Sequence, residues 1–213
     1  MAKIKNNLIF SVLFLILFAA PSFADFSEDL MNMTPIDRAL LPMREINLKL
    51  GFDFSGIVDS NVGIGQYNQS SFVAGNNASF SAEYFKYFNE YVAAGAGASA
   101  EVLRWMDTFP GKFCFAPVYA ALKVRSWPQE PGMYGYAVGH IGYGFMYGNS
   151  SFNDSLKVKN GGIYYAFGFG IVYKYVIVEA LYGYNHGAVK DKTSGGGANI
   201  VYSSWRLSIG YKF

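Results

Sequence analysis

The sequence predicts an all-β fold, an eight-stranded antiparallel up-and-down transmembrane β-barrel with short periplasmic turns and longer outer loops. Three observations predict it. Long segments alternate apolar and polar residues with a period of two, the connections between them alternate in length, and aromatic residues gather at both ends of the segments. The composition agrees: 52% of the 213 residues are hydrophobic and only 15% are charged, where a soluble domain carries about 25% charged residues. The 24 glycines disfavour long helices, and 36 tyrosines and phenylalanines suit strands.

Residues 1–24 read as a secretory signal peptide. Lys3 and Lys5 precede an apolar run from Leu8 to Ala20, and Ser22 and Ala24 occupy the small-residue positions before a cut. That run is shorter than the roughly 20 residues a spanning helix needs. Without Lys3 and Lys5 the 17 basic residues become 15, equal to the 15 acidic ones. A neutral mature chain has no surplus cation to displace counterions, so nucleic acid is excluded as a partner. Cys114 is the only cysteine, which excludes an intramolecular disulfide and a cysteine metal site. Residues 25–43 lack alternation and form a periplasmic N-terminal segment. There Thr34, Pro35 and Asp37 mark a helix start, and Pro42 limits the helix to about two turns.

The barrel spans residues 44–213. In its first strand Ile46, Leu48, Leu50, Phe52 and Phe54 alternate with Asn47, Lys49, Gly51, Asp53 and Ser55. The second, over 77–87, sets Ala78, Phe80, Ala82 and Tyr84 against Ser79, Ser81 and Glu83. The third, over 91–103, opposes Val92, Ala94, Ala96 and Ala98 to Gly95, Gly97, Ser99 and Glu101; its GxGxxA spacing lacks the helix that a dinucleotide site requires. In the fourth, Val118, Ala120, Leu122 and Val124 oppose Tyr119, Ala121, Lys123 and Arg125. The glycine-rich fifth, 133–147, is best phased with Ile141, Tyr143 and Phe145 opposite His140, Gly142 and Gly144. The sixth (163–173) and seventh (175–185) follow the same rule, with Glu179 on the polar side of the seventh. In the eighth, Trp205, Leu207, Ile209, Tyr211 and Phe213 alternate with Arg206, Ser208, Gly210 and Lys212. Segments of this length match the 9 to 11 residues of a tilted membrane strand.

Three connections are tight: 88–90, 127–132 and the neighbourhood of Lys174. The other four, near 57–76, 104–112, 148–161 and 186–198, are longer and polar. Short turns on one rim and long loops on the other place both barrel termini in the periplasm and the chain in the cell outer membrane. Tyr84, Tyr87, Tyr91, Trp127, Tyr173, Tyr175, Tyr211 and Phe213 form the expected periplasmic girdle, and Phe54, Trp105, Tyr147, Tyr184 and Trp205 the outer one. Lipid leaves no partner for edge N–H and C=O groups, so the first and last strands must pair.

With a signal peptide, eight alternating strands and a last strand running Trp205 to Phe213, the chain resembles the small outer-membrane β-barrel proteins of the OmpA, OmpX and opacity-protein type. The resemblance implies outer-membrane lipid as the surrounding partner. It also implies that Trp205, Leu207, Ile209, Tyr211 and Phe213 serve as the signal read by the barrel-assembly machinery. For function it spans adhesins, structural anchors, conduits and a few lipid-modifying enzymes.

Eight strands enclose an interior just wide enough for side chains. The inward set holds Asp53, Glu83, Glu101 and Glu179 against Lys49, Lys123, Arg125, Arg206 and Lys212, and charges away from bulk water must pair. Glu179 and Arg206 lie on adjacent strands and are expected to pair directly. No catalytic, metal or cofactor set is legible: neither His140 nor His186 has a serine two residues on, the spacing of lipid A deacylases. The expected function is a non-enzymatic structural or surface-interaction role, adhesin- or opacity-like, meeting a host or surface ligand through the outer loops. The alternatives are a narrow conduit for small apolar compounds and, third, a lipid A-modifying enzyme.

Overall fold

A computed structural model describes residues 44–61, 71–89, 91–107, 109–126, 133–192 and 195–213. The signal peptide, the segment 25–43 with its expected helix, and Trp127 lie outside them. The strands are β1 (Arg44–Ser60), β2 (Ser71–Ala74), β3 (Asn77–Tyr87), β4 (Val92–Glu101), β5 (Arg104–Met106), β6 (Phe109–Arg125), β7 (Met133–Gly148), β8 (Leu156–Tyr173), β9 (Val176–Asp191) and β10 (Gly197–Lys212), with one short helix, α1 (Ser150–Ser155), between β7 and β8.

Eight long strands close a ring in the order β1, β3, β4, β6, β7, β8, β9, β10, and β10 pairs back onto β1. The closing seam is continuous from Asn47 opposite Lys212 to Ser60 opposite Ile200, with one interruption. A row of directly paired residues fixes the stagger: Phe54, Trp205, Tyr182, Phe167, Gly139, Leu122, Ala94, Lys86 and then Arg44. One circuit therefore returns to β1 ten residues lower, from Phe54 to Arg44. Ten residues at about 3.3 Å each, tilted about 40°, rise about 25 Å, the height of the apolar band of an outer-membrane barrel.

Within that band the expected faces hold. Leu50, Phe52, Leu122, Ile141, Phe169, Leu207 and Ile209 are exposed on the outside, while Asn47, Lys49, Asp53, Glu83, Lys123 and Glu179 are buried inside. The glycine-rich β7 has the expected phase, with His140 inward and Ile141, Tyr143 and Phe145 outward. Tyr87 departs from expectation: it faces the lumen, 7% exposed, rather than joining the girdle. It is in phase with Glu83 and Phe85, so the period of two carries it inward.

The strands run well past Phe54 into segments expected to be loops. There the phase inverts. Val58, Phe72, Met106, Phe113, Phe115, Met146, Leu156, Val189, Ile200 and Tyr202 turn inward and form one apolar core, while Asp59, Lys112, Lys157, Lys190 and Asn199 face out and are exposed. A bulge at Ser55, which adopts φ 53, shifts the β1 register between Phe54 and Ile57, and β8 carries shifts at Val158/Asn160 and Gly161/Tyr164. These bulges mark the change of solvent. Below them the lipid-facing side is apolar and the lumen sets charged groups among Phe85, Val138, Val172, Ile177 and Leu181; above them the interior is apolar, and the outer face mixes Asp59, Lys112, Lys157 and Lys190 with Ile57, Val73, Trp105 and Tyr147. β2 and β5 continue the wall at this level, β2 against β1 and β5 against β6. Phe152 of α1, fully buried, closes the core from above, with its N–H on the Asn149 side chain at 2.9 Å.

Candidate functional site

Charged side chains lie in the lumen in three tiers, packed among the buried Phe85, Val138, Val172, Ile177 and Leu181. At the bottom, Lys123 Nζ donates to Glu45 at 2.5 Å, and the Tyr87 and Tyr134 hydroxyls donate to the other Glu45 oxygen at 2.8 and 3.2 Å. Lys123 also lies 4.1 Å from the centre of the Phe85 ring, and the Arg125 guanidinium 4.5 Å from that of Tyr87. In the middle, Lys49 Nζ bridges Glu83 at 2.8 Å and Glu179 at 2.5 Å, tying β1 to β3 and β9. Tyr119 donates to Glu83 at 3.0 Å and Tyr136 to Glu179 at 2.8 Å, while His140 stacks on Tyr119 with ring centres 4.2 Å apart. At the top, Arg206 grips Asp53 through Nε at 2.5 Å and Nη2 at 3.0 Å and reaches Glu101 at 2.6 Å. Arg104 donates to Asp53 at 3.1 Å and Glu101 at 2.5 Å, and its guanidinium stands 4.1 Å from the centre of the Tyr202 ring, where the polar plug meets the apolar core.

The expected Glu179–Arg206 pair is replaced by others. Register places Glu179 beside Ser208 and Leu181 beside Arg206, so the two charges fall in different tiers. Arg206 sits directly across from Asp53 on β1, and Glu179 takes Lys49. Glu83, Glu101 and Lys123 point into the lumen and are paired there, and Arg125 lies over Tyr87 at the lower mouth. Glu45 and Arg104 join the lumen network from outside the inward set that alternation defines. Glu45 continues the phase of Asn47 and Lys49 and was legible by extending the first strand back one step. Arg104 follows the break at Val102 and Leu103, where alternation gives no phase. Glycine makes room for the long side chains: a Cβ at Gly170 would lie 2.4 Å from the Tyr136 ring, and one at Gly210 2.5 Å from the Lys49 stem.

A small cavity of about 10 Å³, room for about one water, lies between Tyr164, Asn185, Ser204 and Arg206. Trp205, Leu207, Ile209, Tyr211 and Phe213 all face outward and are between 38% and 60% exposed. Phe213 closes the seam through two backbone hydrogen bonds with Ile46, at 2.9 and 3.2 Å.

A closed eight-stranded ring with a lipid-facing belt about 25 Å tall and a plugged polar interior defines a class: a small outer-membrane β-barrel, resident in the cell outer membrane. No family model and no curated protein matches the chain. Among solved structures, it is similar to the outer membrane protein OprG from Pseudomonas aeruginosa, at 13% identity over 81% of this chain and 97% of that one, with a TM-score of 0.51. It is also similar to Ail, the attachment invasion locus protein of Yersinia pestis, in complex with the heparin analogue sucrose octasulfate (16% identity, 80% and 99% coverage, TM-score 0.43). Neisserial surface protein A is a third (10% identity, 80% and 97% coverage, TM-score 0.45). OprG carries the likeness of fold.

Proposed function

We propose that the protein is a non-enzymatic outer-membrane barrel with a structural or surface-interaction role, its plugged wall holding outer loops that meet a host or surface ligand. The observation that carries this reading is the three-tier plug, in which ion pairs bridge β1 to β3, β9 and β10 across the lumen. The exposed outer wall adds a surface for recognition, with Lys157 directly opposite Lys190 and Lys159 beside them. The outward row Trp205 to Phe213 is assigned as the signal for the barrel-assembly machinery. The test is conductance of the purified barrel in planar bilayers: a silent membrane supports the reading, and steady single-channel steps overturn it.

A second reading, a narrow conduit for small apolar compounds, is favoured by the apolar core above the plug. Uptake of small apolar solutes into liposomes that hold the silent barrel would establish it.

A further inference from the structure

We propose that Arg44 and Lys86 hold the phosphate of an anionic glycerophospholipid at the periplasmic rim, with an acyl chain lying along an alanine trough above them. The two residues are direct cross-strand partners on the lipid-facing side of β1 and β3, and both are exposed. Like charges set directly opposite each other on a sheet are destabilising. Among the described residues neither forms an ion pair. Glu45, between Arg44 and Ile46, turns into the lumen onto Lys123. The C-terminal carboxylate of Phe213, on the other flank of β1, makes no ion pair with Arg44, although its backbone pairs with Ile46.

The height of the pair identifies the ligand. The ten-residue stagger sets Arg44 at the foot of the apolar belt, one step below the Ile46–Tyr84 pair and about 25 Å below Phe54. That is the level of the inner-leaflet phosphates, where a Tyr84 ring 42% exposed marks the interface. Two cations here, with no protein anion bound between them, fit a lipid phosphodiester.

The surface above the pair is shaped for a chain. Moving up from Lys86 and Ala94, the outward residues of β4 are Ala96, Ala98 and Ala100, flanked by Ala82 on β3 and Ala120 on β6. Larger side chains border this recess, with Tyr84 on one side and Val118 and Leu122, 53% and 52% exposed, on the other. The lipid faces of β8 and β10 present Phe, Ile, Leu, Tyr and Trp instead. A second copy of this chain docked on the trough about an axis normal to the membrane would bring two Arg44–Lys86 pairs together, so charge favours the lipid.

The test is native mass spectrometry of the delipidated full barrel, offered phosphatidylglycerol or phosphatidylethanolamine with identical acyl chains. Each cation near a membrane surface is worth about a factor of five, so the wild type is expected to retain phosphatidylglycerol roughly tenfold to thirtyfold better. Arg44→Gln and Lys86→Gln should each remove about a factor of five, and the double variant should bind the two lipids within about twofold of each other. Lys157→Gln with Lys190→Gln removes the same charge at the outer end and should keep the preference. Ala96→Phe, which fills the trough, should weaken retention of long-chain more than short-chain phosphatidylglycerol. Folding of each variant is checked by its shift on an SDS gel before and after boiling. Equal binding by the wild type, an unchanged preference in the folded double variant, loss of preference in the outer-end variant, or a lipid-free dimer would each overturn the proposal.

Discussion

Replacing Lys49 with methionine keeps the length of the side chain and removes the cation shared by Glu83 and Glu179. Both carboxylates bind Nζ, at 2.8 and 2.5 Å, in surroundings where Lys49 is 2% and Glu179 1% exposed. Two carboxylates left about 5 Å apart repel by about 3 kcal/mol at an effective dielectric of about 20, and breaking a buried pair costs about 3–5 kcal/mol. With a urea slope of about 2 kcal/mol/M, the unfolding midpoint should fall by about 1.5–2.5 M. The assay is urea unfolding of the barrel in lipid vesicles, followed by tryptophan fluorescence. The same change in a Glu83→Gln, Glu179→Gln background should cost under about half as much, because the repulsion is gone. A shift below about 0.3 M for Lys49→Met alone, against the roughly 1 M or more that a buried ion network demands, would refute the view that the middle tier braces the ring.

Three further outcomes are expected. In a double-mutant cycle, Asp53→Asn and Arg206→Gln should couple by more than about 1 kcal/mol, whereas Glu179→Gln and Arg206→Gln should add within about 0.5 kcal/mol; the reverse pattern would restore the direct Glu179–Arg206 pair. Glu179→Ala alone should lower the thermal unfolding temperature, and an unchanged one would contradict its bond to Lys49. Phe152→Ala should cost about 3–5 kcal/mol in the same urea assay, since its ring is fully buried in the outer core 5.9 Å from that of Phe113; a loss under about 1 kcal/mol would show that α1 is not part of that core.

Alternation made the lipid belt legible because one solvent surrounds it: from Ile46 to Phe54 each odd residue is polar or glycine and each even one apolar, and lipid on one side with a packed lumen on the other enforces that split. The same rule failed above Phe54. Val58, Ile200 and Tyr202 belong to strands, yet they face the opposite way from the apolar residues below them, and the two-residue step across Ser55 and Gly56 breaks the count. A reading held to one phase therefore ends the strand at the bulge and assigns the remainder to loops. In the lumen, sequence identified which charges point inward but not which of them meet. Pairing depends on stagger around the ring, and a ten-residue offset is a property of eight registers together. That is why adjacency of strands points Glu179 to Arg206 when Lys49, 130 residues away, is its partner.

The inverted upper storey separates two selections that act on one chain. Residues below the bulges answer to hydrocarbon, and a charge on their outer face costs about 2–4 kcal/mol at the membrane midplane. Residues above answer to water, and there the outer face carries Lys112, Lys157, Lys190 and Asn199 while the inner face packs one apolar core. Roughly six residues of strand, about 15 Å of height, stand between the membrane surface and Lys157 or Lys190. Insertions and substitutions at the tips are thus borne by a base that does not touch the bilayer, and the loops can be exchanged as a unit without renegotiating insertion.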